Sequence, residues 1–118
     1  MHRQGPLREE AVADALESAA TRRIISLCID RARPVKEISE IAGLPLASAY
    51  RQVKHLQDVG ILVVERSALT PDGKPFDLYR SRVRAARIEV GPRTVRVSWE
   101  VNESIEDRIA SMWGHLAG

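Results

Sequence analysis

The segment 46–59, LASAYRQVKHLQDV, carries the side chains of this sequence best suited to chemistry, and that chemistry is recognition of anions and base edges. At about 100° per residue, Leu46, Ala49, Val53 and Leu56 gather on one side of a helix, leaving Ala47, Ser48, Arg51, Lys54 and His55 on the other. The guanidinium of Arg51 offers a planar fork of donors that fits a guanine edge or a phosphate, and Lys54 offers a compact charge. Ala47 and Ser48 are small enough for the start of the helix to approach a surface about 8.5 Å down a groove. Tyr50 sits at the border of the apolar stripe, where packing and ligand contact are equally open, and Gln52 lies at the edge of the outward face.

A second basic group follows. Lys74 falls in the turn TPDGKP, and Arg80, Arg82 and Arg84 alternate along the next extended run, where they are placed either along a phosphate backbone or on a solvated strand face. Other chemistries find no constellation. Cys28 is the sole cysteine, on an apolar helical run, and reads as a core thiol. His2, His55 and His115 lack ligand spacing, so no metal and no cofactor are expected. With no Gly-rich phosphate loop, partnered nucleophile or clustered carboxylate pair, an enzyme is not expected either.

The elements that must hold these groups fit a chain of 118 residues with 44% hydrophobic and 29% charged side chains, the composition of an ordinary globular protein. The net charge of +2 is unevenly spread: Lys and Arg against Asp and Glu stand at 7 to 7 over residues 1–45, 10 to 5 over 46–96 and 1 to 4 over 97–118. A basic middle followed by an acidic end suits an anion-binding surface joined to a different kind of element. No apolar run approaches the roughly 18 residues of a membrane span, and MHRQGPLREE lacks the apolar region of a secretory signal. No membrane association and a cytoplasmic location are expected.

Periodicity predicts a helix over 8–20 through Val12 and Leu16, then an apolar helix capped by Ser18 or Thr21 and closed before Pro34. A third, short helix from Val35 ends at Gly43, and a fourth begins near Pro45. Two hairpins follow: ILVVERSAL and FDLYRSRV around TPDGKP, then arms holding Ile88, Val90, Val95, Val97, Trp99 and Val101 around GPRT. A terminal helix, capped by Asn102 or Ser104, carries Ile105, Ile109, Met112, Trp113 and Leu116 at helical spacing.

Two helices joined by a short Gly-containing turn, with a basic hairpin behind them, form a helix-turn-helix with a wing. In TRRII, EISEIAGLPLASAYRQVKHL and LQDVGILV, in this order over Thr21 to Ser81, the sequence resembles the winged helix-turn-helix domain of ArsR-type transcriptional regulators, especially their archaeal relatives. The resemblance implies an α+β fold with an N-terminal helix, a wing hairpin, a second β-hairpin and a C-terminal dimerisation helix. Residues 1–84 would form the DNA-binding domain and 85–118 the dimerisation extension. It implies a recognition helix over 46–59, with Ser48, Tyr50, Arg51 and Lys54 at DNA-contacting positions, and a wing over 61–83. The family's metal sensors carry a cysteine pair where this sequence has VKEISEIAG, so a thiolate sensor is not expected.

The implied partners are double-stranded DNA and a second copy of the chain. The dimer surface is sought on Val12 and Leu16 of the first helix and on Ile109, Met112, Trp113 and Leu116 of the last, with Trp113 equally able to cover Trp99 within one chain. The sequence presents no recognisable site for a small-molecule effector. The alternative reading is a winged helix that serves as a protein interaction module in a transcription complex, which would not require position 48 to be small or positions 51 and 54 to be basic.

Overall fold

The computed structural model describes residues 7–103 and 105. In chain order these form α1 (Glu9–Glu17), α2 (Ala19–Leu27), α3 (Val35–Ala42), α4 (Leu46–Asp58), β1 (Leu62–Leu69), β2 (Pro75–Ser81), β3 (Val83–Gly91) and β4 (Thr94–Val101). Four helices and two antiparallel hairpins make an α+β arrangement. The terminal helix expected around Ile109, Met112, Trp113 and Leu116 lies outside the described residues.

Local signals set most element ends. Ser18 leaves the helical region, and its hydroxyl accepts from the Thr21 N–H at 3.2 Å, so the run read as one helix to residue 20 breaks into α1 and α2. Gly43 adopts φ 68° and closes α3, while the Leu44 N–H donates to the Ser39 carbonyl and the Ser39 hydroxyl donates to the Leu44 carbonyl. At the end of α4, Gly60 has φ 85°, its N–H donates to the Gln57 carbonyl, and the Ile61 N–H reaches back to the Leu56 carbonyl. That Schellman arrangement pins the buried Ile61 against the buried Leu56, which is why the helix turns at once into a strand.

The core lies where α2, α3 and α4 meet the start of β1. Ile24 and Cys28 from α2 and its end, Ile38 from α3, Val53 and Leu56 from α4, and Ile61 and Leu62 are all buried in one cluster. Each such aliphatic side chain contributes about 1.5–3 kcal/mol relative to exposure. Val12 joins the interior at 2% exposure. It is therefore spent within one chain and is not available as the dimer contact expected of it, whereas Leu16 remains half-buried beside a small apolar cavity under α1 and α2.

The two hairpins form separate two-stranded sheets. In the first, the register shifts between Val64 and Arg66, and Arg33 from the α2–α3 linker adds an antiparallel bridge to Tyr79 on the outer edge of β2. In the second, Ala86 faces Trp99, Ile88 faces Val97 and Val90 faces Val95. Arg93 in its turn has φ 63°.

The hairpins join the helices at the end of α2. Asn102, itself buried, donates from Nδ2 to the carbonyls of Ile29 (2.9 Å) and Ser81 (3.1 Å), while its N–H donates to the Arg82 carbonyl. Asn102→Ala is expected to remove the Nδ2 donor from the Ser81 and Ile29 carbonyls, leaving the latter with Arg80 alone, and to lower unfolding free energy by about 1–3 kcal/mol, read as a lower midpoint in urea at unchanged slope. Burial pushes the Cys28 thiol up to about 12, from 9.0. A raised value favours the neutral thiol in the fold, so its contribution is complete below pH 9.0 and is lost as pH climbs toward 12. Thiol reagents at pH 8 are accordingly expected to label the protein only at the rate of unfolding, and rapid labelling of the native chain would contradict this burial.

Candidate nucleic-acid interface

The exposed face of α4 is built by the two turns that bound the helix. The Gly43–Leu44–Pro45 turn directs α4 away from α3, and Ala49, Val53 and Leu56 anchor its inner side with almost no exposure. Ala47, Tyr50, Arg51, Lys54 and His55 then face outward, and Ser48 is half-exposed beside them. Arg51 makes no ion pair or side-chain hydrogen bond among the described residues, so its donors are available to a ligand. Lys54 is exposed and lies 3.4 Å from Asp58, one turn along, a weak surface pair that an incoming phosphate can displace. Leu46, placed on the inner stripe by periodicity, is instead 47% exposed, because the first turn of α4 projects beyond the core.

Gln52 faces inward. Its side-chain carbonyl accepts from the Thr21 hydroxyl at 2.7 Å, tying α4 to α2 and removing Gln52 from the candidate contacts. Tyr50, at 56% exposure, stands on the α4 side of a cleft between α4 and the first hairpin, which Phe76 and Tyr79 line from β2. Partial burial is the main cause that raises the Tyr79 hydroxyl pKa, and Asp77 and Tyr50 add to it. Both readings of Tyr50, packing and ligand contact, fit that position.

The hairpin tip is held by the Thr70 N–H donating to the Lys74 carbonyl, by the Lys74 N–H donating to the Thr70 hydroxyl, and by Gly73 at φ 85°. The Thr70 hydroxyl bonds Asp72, and Lys74 projects at 80% side-chain exposure with Asp72 3.9 Å away. Lys74 therefore projects from the tip of the first hairpin with its ammonium accessible to an anion.

Arg80 and Arg82 do not stand along the wing surface. Arg80 donates from Nε to the Ile29 carbonyl at 2.8 Å and from a terminal nitrogen to Glu65 at 2.8 Å, with the two side chains 15% and 8% exposed. Arg82 is buried and reaches the Gly60 carbonyl at 3.4 Å. The register shift between Val64 and Arg66 turns Glu65 inward to meet Arg80 and leaves Arg66 exposed. Among the exposed cations that sequence reasoning did not assign are Arg66 on β1 and Lys36 at the start of α3. No sequence signal marks Arg66, since strict alternation from Leu62 assigns the outward positions differently. Arg84 lies 4.0 Å from Asp30.

No protein-family model matches the chain, and no curated protein matches it. Among solved structures it is similar to the homodimeric winged helix-turn-helix DNA-binding domain (fragment 1-100) of a possible ArsR-family transcriptional regulator from Mycobacterium bovis, with 21% identity and a TM-score of 0.48. The match covers 61% of this chain and 61% of that one, so the chain spans about three-fifths of the length of that domain. No helix among the described residues is long and apolar enough to cross a membrane.

Arg80→Ala is expected to act on the fold: it removes the Arg80–Glu65 ion pair and a donor to the Ile29 carbonyl, and should lower stability by up to about 3–5 kcal/mol. Lys74→Ala should leave the melting temperature unchanged. A stable Arg80→Ala protein with impaired ligand binding would return Arg80 to the interface.

Proposed function

We propose that the chain is a sequence-specific regulator of transcription that binds double-stranded DNA as a homodimer in the cytoplasm, of the ArsR-like winged-helix kind. The observation that carries this reading is the exposed Arg51 on the outward face of α4, beside the small Ala47 and Ser48 and without an ion pair among the described residues. A helix about 10–12 Å across fits a major groove about 12 Å wide.

In this reading Ala47 and Ser48 lie nearest the groove floor, where larger side chains would hold the helix away. Arg51 donates both arms of its fork to guanine O6 and N7, and Lys54 exchanges Asp58 for a phosphate. The wing tip brings Lys74 to the flanking backbone, and Arg66 on β1 and Lys36 on α3 add charge beside it. Tyr50 stacks or packs between the reading helix and the wing. The reading needs no metal or cofactor and assigns no catalytic step.

Selection of bound duplexes from a random pool, at low and at physiological salt, tests it directly. An inverted repeat with half-site centres about 10 bp apart is expected at both salt concentrations. Absence of DNA binding at either salt would overturn the proposal in favour of a protein partner. On the selected site, Arg51→Ala is expected to cost about 1–3 kcal/mol and to relax preference at one base pair. Lys74→Ala should weaken all sequences alike and reduce the salt slope by about one unit.

A further inference from the structure

Among the described residues the second hairpin leaves large apolar side chains exposed. Its cross-strand pairs put Ala86 with Trp99, Ile88 with Val97 and Val90 with Val95 on one face, and Arg87 with Ser98 and Glu89 with Arg96 on the other. Trp99 and Val97 are half-buried near α1, yet Val90 and Val95 are 77% and 66% exposed. The sheet has two strands, so both outer edges lack a strand partner among the described residues. Two-stranded hairpins are marginal in water, and an open edge free of Pro, Lys or a covering element is a template for another strand.

The β4 edge is complementary to itself. The two-residue turn at Pro92 and Arg93 makes Gly91 and Thr94 a hydrogen-bonded pair, so alternation directs the N–H and C=O groups of Val95, Val97 and Trp99 outward. Arg96 and Glu100 lie two residues on either side of Ser98, all three on the polar face and all exposed. We propose that β4 pairs antiparallel with β4 of a second copy about a twofold axis at Ser98, joining the two hairpins into one four-stranded sheet. Arg96 then stands opposite the second copy's Glu100 on each side of the axis, Val97 opposite Trp99, and Val95 opposite Val101. Registers displaced by two residues set each charge against a neutral side chain. Registers centred on residue 96 or 100 set like charges together, so the pattern selects one alignment.

The β3 edge carries Arg87 and Glu89, which are also of opposite sign. Its first half is engaged by the body of the protein: Val83 to Ala86 wall the cavity of about 140 Å³ beneath α1 and α2, and Arg84 reaches toward Asp30. Among the described residues no strand pairs with the β4 edge, which carries the exposed Arg96, Ser98 and Glu100. This inference deepens the homodimer proposed above and rests on the DNA-binding reading only for its consequence, that the shared sheet sets the spacing of two reading heads.

Two experiments on the full chain, neither containing DNA, test the pairing. Ser98→Cys under mild oxidation is expected to form a disulfide-linked dimer, because directly opposed residues in a non-hydrogen-bonded antiparallel pair have Cα atoms about 4.5 Å apart, within disulfide reach. Cys28 is buried, so the unaltered chain should not cross-link. In sedimentation, Glu100→Arg and Arg96→Glu should each weaken self-association about tenfold alone, and an equimolar mixture should recover it through opposite charges. A monomeric unaltered chain, faster cross-linking by Ile88→Cys than by Ser98→Cys, or a mixture no more associated than its components would each overturn the proposal. Such a failure leaves the DNA-binding reading standing, since a monomer or a differently joined dimer that still selects a DNA sequence is scored separately.

Discussion

The carbonyl end of α2 is the point on which the rest of the molecule hangs. A helix leaves its last carbonyls without partners and carries partial negative charge there. Here the donors come from distant segments: Arg33 Nε to the Leu27 carbonyl, the Ser81 N–H to that of Cys28, and Arg80 Nε together with Asn102 Nδ2 to that of Ile29. Two guanidinium groups at the negative end of a helix are favourable by charge as well as by hydrogen bonding. The linker, the root of the wing and the end of the second hairpin are thereby fixed to one buried helix terminus.

This arrangement divides the arginines by task. Those at the root of the first hairpin fix it to the end of α2, and the exposed charge is left at the hairpin tip and on the outward face of α4. Because Arg80 also pairs with the inward-turned Glu65, the cation cannot turn outward without breaking that ion pair. The basic patch is smaller than the composition suggests, and it is more precisely placed.

Asn102 links the two hairpins mechanically. It closes β4 and touches both the root of the first hairpin and the end of α2, so a change in how the second hairpin is held is felt at the base of the first. A partner on the β4 edge and a ligand on α4 would thus bear on the same buried group of hydrogen bonds. Binding at one place can bias the other only through a difference in that geometry between states.

The sequence by itself determined the elements whose causes are local. Ser18 caps α2, Gly43 and Gly60 end helices in the left-handed region, and TPDGKP and GPRT turn the hairpins, because each works through bonds and torsions a few residues apart. The outward stripe of α4, from Ala47 to Lys54, was legible for the same reason, as a 3.6-residue period that folding did not alter. Only the tertiary structure decided which polar groups were spent inside. Gln52 turns to Thr21, thirty-one positions away, and Arg80 to Ile29 and Glu65. One register shift in β1 exchanges the sides of Glu65 and Arg66. A side chain's period tells which face it occupies, but whether that face meets solvent or a helix end depends on segments far along the chain. Those long-range hydrogen bonds exist only once the core has brought the segments together.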